Sequence, residues 1–177
     1  MLTRFKPTWM ISSIFEITPK EITEKGIKVI LTDLDNTLIA WNNPDGTPEL
    51  RNWLELMNAE KIPVIVVSNN NKKRVAKAVE PFGLPFIARA MKPLTKGINE
   101  AKKQLNLEDN QIVLVGDQLL TDVAAANAAK IKSIWVKPII ETDAWNTRPN
   151  RIVEKFIKKN LQKNKRIKET WGHSLNE

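Results

Sequence analysis

The chain has 177 residues, of which 42% are hydrophobic and 27% charged, proportions typical of a single globular domain. It contains no cysteine, which excludes disulfide bridges, zinc–thiolate sites and cysteine nucleophiles and fits a cytoplasmic protein. The net charge is +8, and residues 151–177 supply +5 of it through 8 Lys/Arg and 3 Asp/Glu. This basic tail predicts either a polyanionic partner, nucleic acid or an anionic membrane surface, or a solvated helix face without a partner.

Apolar runs and helical patterns alternate along the chain. In order, the sequence predicts a strand at 27–31, a helix at 48–60, a strand at 62–67, a helix at 72–79, a strand at 85–87, a helix at 93–105, a strand at 111–115, a helix at 119–129 and a strand at 131–136. This alternation indicates an α/β fold with a parallel sheet and right-handed crossovers. The unbroken apolar strands agree, because both faces of such a sheet are covered.

The composition turns basic near residue 150. Beyond it, one face of a predicted terminal helix carries apolar side chains at Ile152, Val153, Phe156, Ile157 and Leu161. We therefore divide the chain into a domain at 1–150 and a basic amphipathic helix and tail at 151–177. The only histidine, His173, lies in this tail, which we expect to be mobile, and has no predicted role.

Three polar stretches directly follow predicted strands: Asp33-Leu-Asp35-Asn-Thr37, Ser68-Asn69-Asn, and Gly116-Asp117 with Asp122 beyond it. Ligands bind at this edge of an open parallel sheet. Each stretch alone also fits ordinary loop chemistry. Their occurrence together, in this order and with Lys92, favours a site for Mg²⁺-dependent phosphoryl transfer.

The two aspartates of the first stretch can carry the covalent chemistry. Asp33 can attack phosphorus as a carboxylate, and Asp35 can protonate the leaving oxygen and later activate water. Mg²⁺ prefers hard oxygen ligands, so we assign Asp33, Asp35 and Asp117 to the metal, with a backbone carbonyl and waters completing its shell.

The remaining polar residues are predicted to hold the phosphate. We assign Thr37, Ser68, Asn69 and Lys92 to phosphate binding; Ser68 donates a hydrogen bond and Lys92 offsets the negative charge. Asp122 falls one helical turn beyond Asp117, where it can orient Lys92 or a metal-bound water.

Over residues 25–137 these motifs resemble the haloacid dehalogenase (HAD) superfamily of phosphatases. The match consists of Asp-x-Asp-x-Thr at 33–37, serine at 68, lysine at 92 and Gly-Asp-x-x-x-x-Asp at 116–122. The resemblance implies a Rossmann-like fold with strand order 3-2-1-4-5. It also implies an aspartyl-phosphate mechanism, with Asp33 as nucleophile, Asp35 as acid/base and Asp117 on magnesium.

The spacing of the motifs leaves no room for the cap domain that many HAD enzymes carry. The two gaps, 38–67 and 69–91, contain 30 and 23 residues. The layout resembles the capless subfamily III (IIIA), and within it the YqeG-type group, through the Gly26-Ile-Lys lead-in, Trp41 and the Gly-Asp-Gln at 116–118. That group is similar to phosphatidylglycerophosphate phosphatases, which implies this lipid phosphomonoester as substrate and a position at the inner face of the membrane.

Three alternatives remain open at this level. The first is a soluble phosphatase that acts on nucleotides, sugar phosphates or phosphoproteins. The second is an RNA- or ribosome-binding module that uses the basic tail and an exposed Trp171, with the phosphatase site secondary. The third, a receiver-type phosphoacceptor, is disfavoured, because a stable acyl phosphate needs no acid/base two residues away.

The N-terminal apolar residues either pack on the domain or enter a membrane interface beside Arg4 and Lys6; they are Phe5, Trp9, Met10, Ile11, Ile14 and Phe15.

Overall fold

A parallel sheet between two helical layers organises the protein in this computed structural model, which describes residues 2–40, 43, 45–140 and 148–177. The strands are β1 (Trp9–Ile11), β2 (Val29–Thr32), β3 (Val64–Val67), β4 (Phe86–Ile87), β5 (Ile112–Gly116) and β6 (Lys132–Val136). They lie in the order β1-β6-β5-β2-β3-β4, and every pair is parallel. The five predicted strands therefore follow the expected order 3-2-1-4-5, and β1 extends the sheet at one edge.

Of the helices in the described residues, five lie where the sequence predicts helices, some with shifted starts, and the first was not predicted. The helices are α1 (Pro19–Glu24), α2 (Pro48–Ala59), α3 (Lys72–Val79), α4 (Lys96–Leu105), α5 (Ala124–Ala128) and α6 (Arg148–Lys163). α4 begins three residues later than predicted, because the chain turns first and Leu94 N–H bonds the carbonyl of Met91. No helix in the described ranges is both long and apolar enough to span a lipid bilayer. Trp41 lies outside the described residues.

Alternate residues of the central strands β2, β3 and β5 enter two separate cores. Ile30 of β2 packs in a core with residues of α1, α2 and α3, such as Ile22, Leu50 and Val75. Its neighbours Val29 and Leu31 belong to the opposite core, with residues of α4 and α5. Both faces of the sheet are covered, which explains why the strands show unbroken apolar runs.

The N-terminal apolar segment forms part of the domain. β1 pairs with β6, and four of the six candidate membrane residues are buried: Phe5, Met10, Ile11 and Ile14. Of the two alternatives for this segment, the structure agrees with packing on the domain, because these four side chains fill its cores. The start of helix α1 is marked in the sequence, because Thr18 and Glu21 have the spacing of a capping box and form one in the structure.

The C-terminal residues also pack on the domain. Ile157 and Leu161 of α6 contact a core that includes Met10, Leu119 and Trp135. At the end of the chain, Gly172 bridges to Ile11, and the Leu175 side chain is buried. The expectation of a mobile tail is wrong for these last residues, whereas the domain boundary near residue 150 stays a prediction.

Trp171 is half-buried, unlike the exposed aromatic side chain expected of an RNA-binding tail. Its ring lies against that of Trp135, with 4.6 Å between centroids. The ammonium group of Lys158 lies 5.2 Å from the Trp171 ring centroid. Both the stacking face and the nearby cation are therefore already engaged within the protein.

Candidate active site

Three neighbouring strands deliver polar side chains to one edge of the sheet. Asp33, Ser68 and Asp117 each follow the last residue of β2, β3 and β5, respectively. β2 lies between β3 and β5 with all three strands parallel, so these residues emerge side by side. The strand ends predicted from sequence therefore do converge.

Lys92 lies at the centre of this group. Its Nζ is 2.7 Å from Asp33 Oδ1 and 2.7 Å from Asp122 Oδ1. The side chains of Lys92 and Asp122 are each only 2% exposed, and that of Asp33 is 13% exposed. One buried cation is thus held between two carboxylates, one from the β2 loop and one from the segment after β5.

The pKa values of this group reflect burial and mutual attraction. Burial raises the pKa of Asp33 to about 6; the charge of Lys92 opposes this rise, and Asp122 adds to it. Burial alone would lower the pKa of Lys92, but the attraction of Asp122 and Asp33 outweighs it and raises that pKa above its usual value. Lys92 therefore stays charged across the physiological range.

Asp117 provides a second buried carboxylate beside Asp33. It is 1% exposed, and its Oδ1 accepts a hydrogen bond of 3.2 Å from the Thr37 hydroxyl. Trp135 Nε1 donates to its backbone carbonyl at 3.0 Å. Thr37 and Trp135 thus fix both the side chain and the backbone of this residue.

The carboxylates of Asp33, Asp117 and Asp122 could together hold a metal ion, since one oxygen from each lies within 4.8 Å of the others. Buried, clustered carboxylate oxygens suit Mg²⁺. The donor set therefore fits this ion. Both oxygens of Asp122 are engaged, Oδ1 by Lys92 and Oδ2 by the Gln118 N–H, whereas the Lys92 contact of Asp33 is at Oδ1. Asp33 and Asp117 are therefore the better candidates for direct contact.

The side chain of Asp35 contacts residues outside the cluster of Asp33, Asp117 and Asp122. Its Oδ1 forms an ion pair with Arg74, and its Oδ2 accepts a hydrogen bond from Asn70 Nδ2. It does not belong to the described cluster of three carboxylates. Its carboxylate is thus separate from the metal-compatible oxygens and lies towards α3.

Ser68 and Asn69 differ in how their side chains are used. The Ser68 hydroxyl is buried and accepts a hydrogen bond of 3.2 Å from Asn70 N–H. The Asn69 amide spans the backbone of Lys92, accepting from its N–H at 2.7 Å and donating to its carbonyl at 2.9 Å. Asn69 therefore fixes the backbone of Lys92, a contact that its predicted role in phosphate binding did not include.

Gly116 permits the close approach of Asp122. A Cβ at position 116 would lie 2.3 Å from Asp122 Cγ, closer than any real contact. Asp122 lies in a π-helical turn, Leu119–Val123, and its Oδ2 accepts a hydrogen bond from Gln118 N–H. Such turns often occur at functional sites, and this one replaces the start of the predicted helix at 119–129.

Two functional contacts were missed from the sequence. Arg74 and Asn70 both hold Asp35; Asn70 ends the polar stretch that begins at Ser68, whereas no motif marks Arg74. Asn70 precedes α3 and Arg74 lies in its first turn, so no helical spacing links them.

Comparisons with known proteins agree with this geometry. The family model of haloacid dehalogenase-like hydrolases matches residues 5–130. A relative in Bacillus subtilis (strain 168), named probable phosphatase YqeG, is 44% identical over 153 residues, which is 86% of this chain and 89% of that protein.

Two solved structures are similar to this chain, and the first of them shares its fold. One is an uncharacterised protein from Listeria monocytogenes, with a TM-score of 0.53 at 15% identity, covering 75% of this chain and 99% of that one. The other is 3-deoxy-D-manno-octulosonate 8-phosphate phosphatase from Moraxella catarrhalis, with a TM-score of 0.44 at 15% identity, covering 81% and 92%. The chain belongs to the haloacid dehalogenase-like hydrolases, and within them it is a capless, Mg²⁺-dependent phosphatase.

Proposed function

We propose that the protein hydrolyses phosphatidylglycerophosphate to phosphatidylglycerol and phosphate while bound peripherally to the inner, cytoplasmic face of the membrane. The observation that carries this proposal is an exposed apolar and basic face on α6, next to an active site that has no cap. The choice of this particular lipid comes from the resemblance to phosphatidylglycerophosphate phosphatases.

Asp33 and Asp35 divide the chemistry in this proposal. A carboxylate oxygen of Asp33 attacks phosphorus, the ester P–O bond breaks, and Asp35 gives its proton to the leaving alkoxide. Asp35 then takes a proton from the water that attacks the phosphoryl group on Asp33, which releases phosphate and restores both carboxyl groups. The position of Asp33 at the end of β2 supports its role, because the site opens at this edge.

The surrounding side chains position the phosphate and the nucleophile. Lys92 and the Ser68 hydroxyl bind phosphoryl oxygens, and Asp122 orients Lys92 through their 2.7 Å contact. Thr37 acts through Asp117, to which its hydroxyl donates. For Asn69 we propose a positioning role, because its amide already bonds both backbone groups of Lys92.

Mg²⁺ would be held by Asp33, Asp117 and the backbone carbonyl of Asp35. When bound, the ion neutralises the negative charge that two carboxylates and a phosphate dianion would otherwise concentrate in one place. Asp117 suits this role, because Thr37 and Trp135 hold it in place.

The open site suits a substrate presented at a surface. α2 and α3 are the helices in the gaps between the first three motifs among the described residues, so no cap lies over the strand ends. A lipid phosphate can therefore approach without leaving the bilayer interface. In an enzyme with a cap, this approach would require the headgroup to be enclosed.

The outer face of α6 has the chemistry of an interfacial helix. Ile152 and Phe156 are 72% and 69% exposed, and the neighbouring Lys155 and Lys159 are also exposed. Apolar side chains flanked by lysines favour insertion into an anionic interface. On the inner side of the helix, Glu154 accepts a hydrogen bond from Leu120 N–H. The helix is thus attached to the segment between Asp117 and Asp122.

The substrate is tested by phosphate release from phosphatidylglycerophosphate in mixed micelles, beside a panel of nucleotides, sugar phosphates and phosphopeptides. We expect a strong preference for the lipid and complete loss of activity with EDTA and in Asp33→Asn. A clear preference for a soluble ester would keep the phosphatase activity and overturn the lipid assignment.

The membrane face is tested separately by sedimentation with vesicles. The double variant Ile152→Asn/Phe156→Asn should bind less to vesicles rich in phosphatidylglycerol. The control Leu56→Asn changes an exposed apolar residue on α2, 57% exposed, and should bind like the wild type. Equal binding by all three proteins would contradict the role of α6, and salt-sensitive RNA binding would favour the nucleic-acid alternative.

A further inference from the structure

A cavity of about 410 Å³ lies beside Asp35, between the loop after β2 and helix α3. One side of it is apolar and is formed by Leu34, Ile39, Ala40 and Ala78. Leu34, Ile39 and Ala78 also belong to the core under α3, so this wall is fixed by packing. The cavity therefore has a preformed apolar floor, unlike a transient surface groove.

The lining of the cavity is also strongly basic. Lys73, Arg74 and Lys77 of α3 contribute to it, and the acidic residue among its lining residues is Asp35. Arg74 is paired with Asp35, whereas Lys73 and Lys77 form no ion pair within the described part of the chain. The cavity thus keeps excess positive charge after its internal ion pair is counted.

This arrangement of lysines does not stabilise α3. Lys73 and Lys77 are spaced four residues apart, where like charges on a helix repel. Lys73 also lies in the first turn, where the helix dipole disfavours a cation. An anionic ligand in the cavity would relieve both effects, which is the physical reason to expect one.

The cavity is next to the group that must meet the leaving oxygen. Asp35 lines it directly, and Asp35 is the proposed acid for the departing alkoxide. The part of the substrate attached to that oxygen must therefore extend from Asp35 into the adjoining space.

We propose that this cavity binds the leaving group of the substrate and selects leaving groups that carry a second anion beside an apolar portion. Lys73 and Lys77 pair with the second anion, and the apolar wall contacts the carbon atoms between the two charged groups. The ligand class is a phosphomonoester with a phosphodiester, second phosphate or carboxylate a few atoms away. The inference deepens the proposed phosphatase function, since it rests on Asp35 as the leaving-group acid.

The test compares two small substrates that differ by one anionic group. Glycerol 1-phosphate and glycerol 1,3-bisphosphate are hydrolysed by the wild type and by the double variant Lys73→Gln/Lys77→Gln. The expected result is that the variant loses kcat/KM for the bisphosphate roughly tenfold more than for the monophosphate, mainly through KM, as for loss of one charge-assisted hydrogen bond. Arg74 is left intact because it holds Asp35.

The matched control is Lys72→Gln, on the same helix but not among the lining residues of the cavity. It should not change the ratio of kcat/KM for the two substrates. Equal losses for both substrates in the double variant, or the same change of ratio in the control, would overturn the inference and leave the lysines as a solvated helix face.

A binding measurement separates this inference from the proposed function. Calorimetry on Asp33→Asn compares the affinities of the two compounds without turnover, and the added Lys73→Gln/Lys77→Gln substitutions should remove the preference for the bisphosphate. Absence of that preference in Asp33→Asn itself would overturn the inference. Failure of the wild type to hydrolyse any of these phosphomonoesters, phosphatidylglycerophosphate included, would instead refute the phosphatase chemistry.

Discussion

Replacing Lys92 with methionine tests the electrostatics at the centre of the site. Lys92 Nζ lies 2.7 Å from carboxylate oxygens of both Asp33 and Asp122, and its side chain is 2% exposed. Methionine has nearly the same length and removes only the charge and the hydrogen bonds. The substitution therefore leaves two buried carboxylates next to each other without a cation.

The expected loss of stability follows from these distances. At an effective dielectric constant of about 20, each 2.7 Å contact corresponds to roughly 6 kcal/mol of gross Coulomb attraction, most of which offsets desolvation. Breaking a buried ion pair from one side typically costs about 3–5 kcal/mol. We expect the free energy of unfolding of Lys92→Met to fall by about that amount near pH 8.

The loss should depend on pH in a definite direction. The pKa of Asp33 is raised to about 6 while Lys92 still lowers it, so removing the lysine raises this pKa further. A carboxyl with a raised pKa in the folded state favours folding at low pH and loses that contribution as the pH rises through the folded pKa. The destabilisation should therefore be smaller near pH 5 than near pH 8.

Urea unfolding in EDTA at the two pH values measures both expectations. The control Lys96→Met makes the same change at an exposed position on α4 and should stay within about 0.5 kcal/mol of the wild type. A loss below about 1 kcal/mol near pH 8, or an equal loss at both pH values, would refute the account of Lys92.

Three further substitutions test individual parts of the site. Asp33→Asn should abolish phosphate release while the circular dichroism spectrum is retained; substantial turnover would remove Asp33 as nucleophile. Asp35→Asn should slow both formation and breakdown of the phosphoenzyme in rapid-quench assays, and an unchanged kcat would dismiss its acid/base role. Gly116→Ala places a Cβ 2.3 Å from Asp122 Cγ and should cost about 1–3 kcal/mol in urea unfolding and lower kcat, whereas wild-type stability would contradict that clash.

The sheet and its catalytic edge were predictable from the sequence because the strands are buried on both faces. The run at 62–67 is apolar throughout, and the structure places Val64–Val67 within β3. A buried strand ends where polar residues begin, so the positions of Asp33, Ser68 and Asp117 at one edge followed directly. For these residues the local pattern, an apolar run followed by polar residues, is enough to place them at the edge of the sheet.

Contacts between distant residues were not predictable in the same way. β1 has three residues and pairs with β6, which lies more than a hundred residues later in the chain, so no local periodicity marks it. Arg74 reaches Asp35 across 39 positions, and the sequence of α3 indicates only a basic helix. The amide of Asn69 can form hydrogen bonds with a phosphate or with a peptide backbone, so the sequence does not show which partner it has. The fold places it against the backbone of Lys92.

The covalent role of Asp33 is tested most directly by acid quenching during turnover, followed by peptic digestion and mass spectrometry. The wild type and Asp35→Asn are both mixed with Mg²⁺ and a phosphomonoester that the wild type hydrolyses. The account predicts a phosphoryl group on the peptide that contains Asp33, at higher occupancy in Asp35→Asn if breakdown slows more than formation. A phosphoryl group on any other residue would contradict it.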